Sequence, residues 1–455
     1  MKQPAETRPM KLHTIALGCQ MSEADAEEMS APLASRGFAR ADGPDDADAI
    51  LISTCTVRQH AEDRAISLIG SLKPWKAADP HRVLIVSGCA AERAGDSIRR
   101  KFPYVDLVVG AKSIARFPEL VREALDARFD ALREHRENFA PEAAPSAASP
   151  VSAYLTIMRG CNYSCSYCIV PSVRGRELYR PVEDILNEAR AKAAAGAKEI
   201  MLLGQTVNSY ESERGGGKVG FGDLMRLLDG TPGLERLRFM SPHPYYVDES
   251  MLSAMAECRS VCEHLHLPLQ SASARVLKLM RRNYTPAAYL EKVRAARSAV
   301  PGIVISTDII VGFPTETEDD FQETLDFLKE VRPAWAYCFK YSPRQGTRSD
   351  SWPDDVSREV KEGRLGRLNR LMDELTSEAL NAHIGKTVEV LCEEPGFGRT
   401  RQGFNAKWSG AASREASSAG PQKEMPLRPG AARPGEAVSL AVTGATKRTL
   451  LGEIA

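Results

Sequence analysis

Long hydrophobic runs, an excess of charge of one sign and a hydrophobic leader are all missing from this 455-residue chain. No apolar stretch approaches the length of about 18 residues that a membrane-spanning helix requires. The first residues, MKQPAETRPMKLH, contain no signal-peptide core. We therefore expect a cytoplasmic protein with no membrane partner. Because 60 basic residues balance 60 acidic ones, the net charge does not indicate a nucleic-acid partner, which local features would have to reveal.

Ten cysteines are the conspicuous feature of the composition. In a reducing compartment, this number of cysteines favours metal binding or catalysis over disulfide bonds. The length predicts about two to four domains. The fractions of hydrophobic and charged residues, 43% and 26%, are those of an ordinary globular protein.

The N-terminal part, residues 1–133, alternates short β-rich runs with helical patterns. Continuous apolar strands separated by helices are typical of an α/β fold with a doubly wound parallel sheet. The predicted strands are 11–18, 48–54, 82–88 and 106–110, and the predicted helices are 22–36, 59–73 and 91–101.

A linker is predicted at 134–152, where Pro, Ala, Ser and Glu dominate without periodicity. The β/α alternation then restarts, and six units predict an open, partial (β/α)6 barrel within 153–383, followed by a long charged helix at 355–382. The predicted barrel strands are 153–158, 199–205, 236–241, 264–270, 303–313 and 335–342. Residues 384–455 predict a small β-barrel that the low-complexity segment 409–435 interrupts.

The stretch RGCNYSCSYC places Cys161, Cys165 and Cys168 in C-x3-C-x2-C spacing just after the first barrel strand. Barrel enzymes carry their chemistry on loops at the C-terminal ends of the strands, so this position predicts an active site. Three thiolates on one loop can hold three irons of a cubane cluster and leave the fourth iron open for a small molecule. A structural zinc site would normally use four protein ligands.

This motif, which has Tyr167 before its last cysteine, resembles the radical S-adenosylmethionine (SAM) superfamily. The resemblance implies a 4Fe-4S cluster on the three cysteines, which are then the catalytic residues. It also implies that SAM binds the open iron and is cleaved reductively to a 5′-deoxyadenosyl radical.

Other segments that match the superfamily suggest which residues contact SAM. They place Gln205, Gln270 and Asp308 in the SAM pocket, together with Tyr167. Ala272 and Thr315 stand where the superfamily has glycines, so each adds a side chain to a turn.

Three further cysteines, Cys19, Cys55 and Cys89, each lie at or just beyond the end of a predicted N-terminal strand. They are 36 and 34 residues apart, and each spacing is about one β–α repeat. Because the C-terminal ends of parallel strands share one edge of the sheet, the three thiols can converge there. On these residues alone, three ordinary buried cysteines remain the alternative.

Combined with the radical SAM motif, this layout resembles the methylthiotransferase family. The resemblance implies an N-terminal methylthiotransferase domain (1–133), a radical SAM domain (153–383) and a TRAM-like domain (384–455). It also implies that Cys19, Cys55 and Cys89 bind a second, auxiliary 4Fe-4S cluster that supplies sulfur. A second SAM then methylates this sulfur, so that methylthio replaces hydrogen on the substrate.

The residues after the first of these cysteines, QMSEAD, resemble the MiaB branch of the family, although Ser22 replaces an asparagine. This branch converts N6-(dimethylallyl)adenosine next to the tRNA anticodon, at position 37, to its 2-methylthio derivative. The implied partners are this tRNA and a flavodoxin- or ferredoxin-like electron donor, and the expected oligomeric state is a monomer.

Alternatives remain open at this point. The same chemistry can act on threonylcarbamoyl-adenosine in tRNA or on an aspartate of a ribosomal protein. The chain can also be a non-enzymatic iron–sulfur electron carrier or an RNA-binding protein with degenerate clusters. The complete C-x3-C-x2-C motif argues against degenerate clusters.

Local basic segments give modest support for RNA binding, because arginines can contact phosphates and stack on bases. The candidates are 98–102, 280–284, 398–408 and the arginines Arg174, Arg176 and Arg180. For each of them, a packed or solvated side chain is an equally good explanation. The four remaining cysteines, Cys258, Cys262, Cys338 and Cys392, are interpreted as structural, with zinc near His264 and His266 as the alternative for the first two.

Overall fold

The structure of the chain, a computed structural model, describes residues 9–57, 59–135, 151–408 and 432–455. Most of the predicted linker 134–152 and of the low-complexity segment 409–435 lies outside the described residues. In the part of the chain that is described, no helix is both long enough and apolar enough to cross a membrane.

The N-terminal sheet consists of parallel strands. Their bounds are Met10–Ala16 (β1), Phe38–Arg40 (β2), Ala49–Thr54 (β3), Val83–Gly88 (β4) and Leu107–Gly110 (β5). The strand order is β2-β1-β3-β4-β5, so the direction of winding reverses between β1 and β3. Every residue of β3 and of β4 is buried. Both faces of the sheet are therefore covered, as a doubly wound fold requires.

Five helices cover these faces. They are Gln20–Ala34 (α1), Gln59–Ser71 (α2), Lys73–Ala78 (α3), Cys89–Lys101 (α4) and Phe117–His135 (α5). The apolar residues of α1 and α5 share one core with the sheet, and those of α2, α3 and α4 share the other. The prediction of a doubly wound sheet is confirmed, although β2, α3 and α5 were not predicted.

The second unit has ten strands, of which six are parallel and four form two short antiparallel pairs. The strands are Ser152–Thr156 (β6), Met158–Arg159 (β7), Leu178–Tyr179 (β8), Glu199–Leu203 (β9), Glu211–Arg214 (β10), Gly217–Gly220 (β11), Arg236–Phe239 (β12), His264–His266 (β13), Val304–Val311 (β14) and Trp335–Lys340 (β15). Strands β6, β9 and β12 form one sheet, and β13, β14 and β15 form another. A parallel bridge between Leu237 and Val261 joins the two sheets. The result is the predicted partial (β/α)6 barrel.

The helices of this unit are Val170–Arg174 (α6), Val182–Ala194 (α7), Phe221–Asp229 (α8), Glu249–Glu257 (α9), Ala274–Leu279 (α10), Pro286–Ala299 (α11), Glu318–Val331 (α12) and Arg358–Asn381 (α13). The first of them, α6, packs against α4 of the N-terminal unit, whereas the longer helices pack around the outside of the barrel. Short 3-10 turns lie at Pro44–Asp46, Ala111–Arg116, Val207–Ser209, Pro244–Tyr246 and Arg348–Ser351.

Helix α1 of the N-terminal unit lies against the open side of the partial barrel. Its buried residues Met21 and Ala24 pack on Met201 and Leu203 of β9. These two barrel residues alternate with Ile200 and Leu202, which belong to the core under the outer helices. Alternate residues of a strand point to opposite faces, so α1 covers the inner face of the barrel and brings its own N-terminus to the barrel mouth.

A closed five-stranded barrel follows α13. Its strands are Thr387–Glu394 (β16), Phe397–Thr400 (β17), Asn405–Trp408 (β18), Ala437–Ala445 (β19) and Thr449–Ile454 (β20). It packs on the N-terminal ends of the larger barrel's strands. There the buried Arg238 side chain donates to the backbone carbonyls of Thr400 and Arg401, at 2.7 and 2.8 Å. The small barrel therefore lies at the end opposite to the loops that carry the cysteines.

Candidate active site

Three cysteines, which we call the N-terminal triad, follow three neighbouring strands at one edge of the sheet. Cys19 comes after β1, Cys55 comes directly after β3, and Cys89 comes directly after β4. The winding reverses between β1 and β3, and ligands of doubly wound folds bind at such a switch point, beyond the carboxyl ends of the strands. The structure thus places the triad where this fold places its ligands.

Two glycines allow the triad to approach so closely. Gly18 has a φ of +130°, and a Cβ built on it would lie 2.2 Å from the Cβ of Cys55. Gly88 has a φ of +97°, and a Cβ there would lie 2.3 Å from the carbonyl oxygen of Thr54. Both positions combine a left-handed backbone with a lack of space, so only glycine fits. The sequence shows both glycines, each directly before a cysteine.

The thiols of Cys19 and Cys55 are in contact and polarise each other. A hydrogen bond with Cys55 lowers the pKa of Cys19 to about 5, and the same bond raises the pKa of Cys55. Ser22, at 3.5 Å from the Cys19 sulfur, also lowers the pKa of Cys19. Burial raises the pKa of Cys89, while Arg174 opposes this rise. The site therefore favours a thiolate at Cys19, which begins helix α1.

The other three cysteines, which we call the barrel triad, are Cys161, Cys165 and Cys168 on the loop after β7. Burial raises the pKa of two of these thiols. Burial and the neighbouring Cys165 raise the pKa of Cys168 to about 12, and burial also raises the pKa of Cys161. Thr206 Oγ1 lies 3.4 Å from the Cys161 sulfur. A cationic metal centre would stabilise the thiolate forms of Cys161 and Cys168, which burial disfavours.

The residues that the sequence assigned to SAM line the same end of the barrel. Gln205 accepts a hydrogen bond from the backbone N–H of Gly160, at 2.5 Å, and so holds the start of the barrel-triad loop. Tyr167 is half-buried within the loop, with its ring edge toward Phe313.

Gln270 and Asp308 are brought together on the second sheet. The backbone N–H of Gln270 donates to the carbonyl of Asp308 at 2.8 Å, and Gln270 holds a left-handed φ of 71°. The Asp308 carboxylate lies 3.5 Å from His266 Nε2. Thr315, at a superfamily glycine position, likewise has a φ of 68°.

Arg282 joins the barrel triad to the second sheet, and the sequence did not assign it to the site. Its Nη1 lies 3.5 Å from the Cys165 sulfur, and its Nη2 lies 3.5 Å from the Pro268 carbonyl oxygen. Its guanidinium also sits over the Tyr284 ring at 5.0 Å. This arginine belongs to the basic segment MRRNY, which the sequence indicates as a candidate for phosphate contacts and not as part of the cysteine site.

Two arginines connect the triads across the domain boundary. Asp25 of α1, fully buried, accepts from Arg159 Nη1 at 2.5 Å and from Arg174 Nη2 at 2.7 Å. Arg159 belongs to β7, before the barrel triad, and Arg174 ends α6, after it. The loop of one triad is therefore fastened to the helix that begins at the other.

Several of the basic candidates make contacts within the chain, as the alternative of a packed side chain describes. The Arg174 and Arg282 side chains are committed to the buried contacts described above. Arg401, in the basic segment 398–408, donates to Glu263 of the larger barrel at 2.7 and 3.0 Å. Arg180 donates to the Thr156 carbonyl at 2.7 Å. All four arginines therefore have partners within the chain.

Each triad offers three thiols, the number of ligands for a cubane with one open iron, and neither is gathered as tightly as a single zinc ion would require. Among the described residues, no three thiols have all their sulfurs within 4.8 Å of one another. Tetrahedral zinc would draw thiolate sulfurs to about 4 Å of each other, whereas each iron of a cubane takes one thiolate and needs a wider spacing. The zinc alternative for Cys258 and Cys262 with His264 and His266 also finds no such grouping in the described parts of the chain.

Comparison with known families agrees with this geometry. Residues 155–328 match the radical SAM superfamily, and residues 11–110 match a family described as uncharacterized protein family UPF0004. The tRNA-2-methylthio-N(6)-dimethylallyladenosine synthase of Acetivibrio thermocellus is 41% identical over 401 residues, which cover 86% of this chain and 82% of that protein. The chain belongs to this synthase family. It is therefore a radical SAM enzyme, and a cluster with SAM is its family's cofactor set.

Further members of the synthase family match over almost the whole chain. The enzyme of Acidothermus cellulolyticus is 40% identical over 453 residues, which cover 99% of this chain and 89% of that protein. Among solved structures, the radical SAM methyltransferase TsrM of Kitasatospora setae aligns with a TM-score of 0.54 at 14% identity, over 76% of this chain and 77% of that one. That likeness supports the fold.

Proposed function

We propose that this chain is a radical SAM methylthiotransferase that acts on tRNA. It converts N6-(dimethylallyl)adenosine at position 37, next to the anticodon, to its 2-methylthio derivative. One observation carries the proposal: buried ion pairs join the segments that hold two cysteine triads across a domain boundary, in a chain about 40% identical to the synthases over most of its length.

The two triads have different proposed roles. Cys161, Cys165 and Cys168 hold the cluster that binds SAM, and Cys19, Cys55 and Cys89 hold an auxiliary 4Fe-4S cluster. When bound, these groups supply the radical that removes a hydrogen atom and the sulfur that replaces it. Tyr167, Gln205, Gln270 and Asp308 contact SAM from the ends of the barrel strands.

The chain's own groups orient these cofactors and shield them. Arg282 places a positive charge against Cys165 and fixes the triad loop to Pro268. Tyr163, inside the triad motif, stacks on His243 with ring centroids 4.1 Å apart. Burial lowers the pKa of His243 to about 2, so its ring is neutral at pH 7 and accepts from the Tyr245 N–H. The stacked rings of Tyr163 and His243 are uncharged, and such packed groups help to exclude water from the site.

The proposed domains have the boundaries that the sequence predicts. Residues 1–133 form the auxiliary-cluster domain, 134–152 the linker, 153–383 the radical SAM domain and 384–455 a TRAM-like domain. The partners are tRNA that carries the modified adenosine and a flavodoxin- or ferredoxin-like reductant, and the enzyme works as a monomer.

Substrate choice is tested with the purified, cluster-loaded enzyme. The enzyme is incubated with SAM, sulfide, a reductant and one of four substrates: tRNA carrying N6-(dimethylallyl)adenosine, unmodified tRNA, tRNA carrying threonylcarbamoyl-adenosine, or ribosomal protein. Mass spectrometry of the products should show methylthio addition to the first substrate alone. Addition to threonylcarbamoyl-adenosine or to protein, with none to the first substrate, would overturn the proposal.

A further inference from the structure

Arg174 belongs to one domain and reaches into the site of the other. It ends helix α6, six residues after Cys168 in the sequence. Its side chain is 4% exposed, and its Nη2 donates to Asp25 Oδ2 at 2.7 Å. It therefore lies at the contact between the barrel-triad loop and helix α1, which begins at Cys19.

The known partners of Arg174 leave one nitrogen of its guanidinium without a hydrogen bond. The Asp25 carboxylate is shared with Arg159, which also pairs with Glu28. Arg174 Nη1 is buried and has no hydrogen-bond partner in the structure. A guanidinium carries five N–H donors, and a buried donor without an acceptor costs free energy. A clamp between two domains would need only the Asp25 contact, so the free Nη1 requires another explanation.

Sulfur is the acceptor that the surroundings offer. Cys89 and Val173, the neighbour of Arg174, belong to the same buried cluster, in which α4 packs against α6. The Arg174 guanidinium lies close enough to Cys89 and Cys19 for its charge to act on both thiols. Thiolates and cluster sulfides accept hydrogen bonds from such donors.

We propose that Arg174 is a positioning residue of the auxiliary cluster and that its Nη1 donates a hydrogen bond to sulfur held at the N-terminal triad. This inference rests on the proposed function, because it needs a cluster at that triad. A positive donor beside cluster sulfur stabilises the reduced state and so raises the reduction potential. The auxiliary site is then complete only when the radical SAM domain is docked on the N-terminal domain.

The test measures the potential of the auxiliary cluster alone. The parent is the full chain with Cys161→Ala, Cys165→Ala and Cys168→Ala, in which only the N-terminal triad can bind a cluster. Arg174→Gln, Arg174→Lys and Asp25→Asn are added to it singly. Arg180→Gln is the matched control, since Arg180 lies on the same segment but pairs with Glu188 and Thr156. Iron content and a redox titration followed by electron paramagnetic resonance are recorded for each.

We expect Arg174→Gln to shift the reduction potential of the auxiliary cluster to more negative values. Arg174→Lys keeps the positive charge, so its potential should stay close to that of the parent. Asp25→Asn removes a negative charge and should shift the potential in the opposite direction, which a purely structural role would not produce. Arg180→Gln should leave it unchanged.

Two results overturn the inference while the proposed function stands. One is an iron-loaded Arg174→Gln variant with the parent's potential, and the other is loss of iron from both Arg174 variants. If the parent itself binds no iron, the auxiliary cluster of the proposed function fails, and the inference fails with it. Iron content therefore separates the two kinds of failure.

Discussion

Single residues set the reactivity of the two triads, and Cys19 shows this best. Its thiol is exposed, begins a helix and accepts a hydrogen bond from Cys55. A helix N-terminus favours a thiolate, in agreement with the pKa of about 5 for Cys19. Cys338 contrasts with it, because burial raises the pKa of that thiol to about 12.

Alkylation of the reduced, cluster-free protein reports this difference. The thiolate is the reactive form, so Cys19 should react with iodoacetamide at a full rate at pH 7 and slow only as the pH falls through about 5. Cys338 should stay unmodified across this range. Peptide mass spectrometry between pH 4 and 9 gives the rates. Cys55→Ala removes the hydrogen bond, and its Cys19 profile should move toward the ordinary thiol value of about 8.5. A wild-type midpoint near that value would contradict the account.

Gly88→Ala tests the close approach of Cys89 to β3. The added Cβ would meet the Thr54 carbonyl at 2.3 Å in a left-handed backbone, so we expect a loss of at least about 2 kcal/mol in the free energy of unfolding. Gly363→Ala is the control, because nothing lies within 4 Å of that position in helix α13. There alanine should stabilise by about 0.5–1 kcal/mol. Urea unfolding measures both, and equal effects would refute the explanation.

At the scale of elements, helix α1 does the most to position the site. It starts at Cys19, packs on the inner face of β9 and carries Asp25 between two arginines of the barrel. An element with these three contacts fixes the distance between the triads, because neither can move without breaking a buried ion pair.

Asp25→Ala should therefore be severely destabilising. It leaves Arg159 and Arg174 buried without their shared carboxylate, and breaking such a pair costs about 3–5 kcal/mol. Glu27→Ala, on the same helix, removes a half-exposed partner of Lys192 and should cost about 1 kcal/mol or less. The midpoints of urea unfolding compare the two variants. Similar midpoints would show that the domain contact is not built on Asp25.

The sequence predicted most elements with a periodic apolar pattern, although it missed helix α5, whose buried residues recur every three or four positions. The apolar strands of both sheets and the convergence of Cys19, Cys55 and Cys89 follow from strand ends that share an edge. The three-residue strand β2 and the one-and-a-half-turn helix α3 are too short to carry a period. Arg174 and Arg282 looked like phosphate ligands because a basic side chain gives no sign of its burial until its partners, distant in sequence, are known.

At the scale of the whole molecule, the N-terminal sheet and the partial barrel share one mouth. The N-terminal sheet edge and the barrel loops face each other there, and the small C-terminal barrel is docked at the far end through Arg238 and Arg401. The small barrel therefore lies away from both cysteine triads.

The account's central claim is that the triads do separate work in one reaction. It is tested most directly by measuring 5′-deoxyadenosine and the 2-methylthio nucleoside in the same reaction mixture, for Cys19→Ala, Cys161→Ala and the control Cys338→Ala. We predict that Cys19→Ala still forms 5′-deoxyadenosine but no methylthio product, that Cys161→Ala forms neither, and that Cys338→Ala forms both. Methylthio product from Cys19→Ala, or 5′-deoxyadenosine from Cys161→Ala, would contradict the claim.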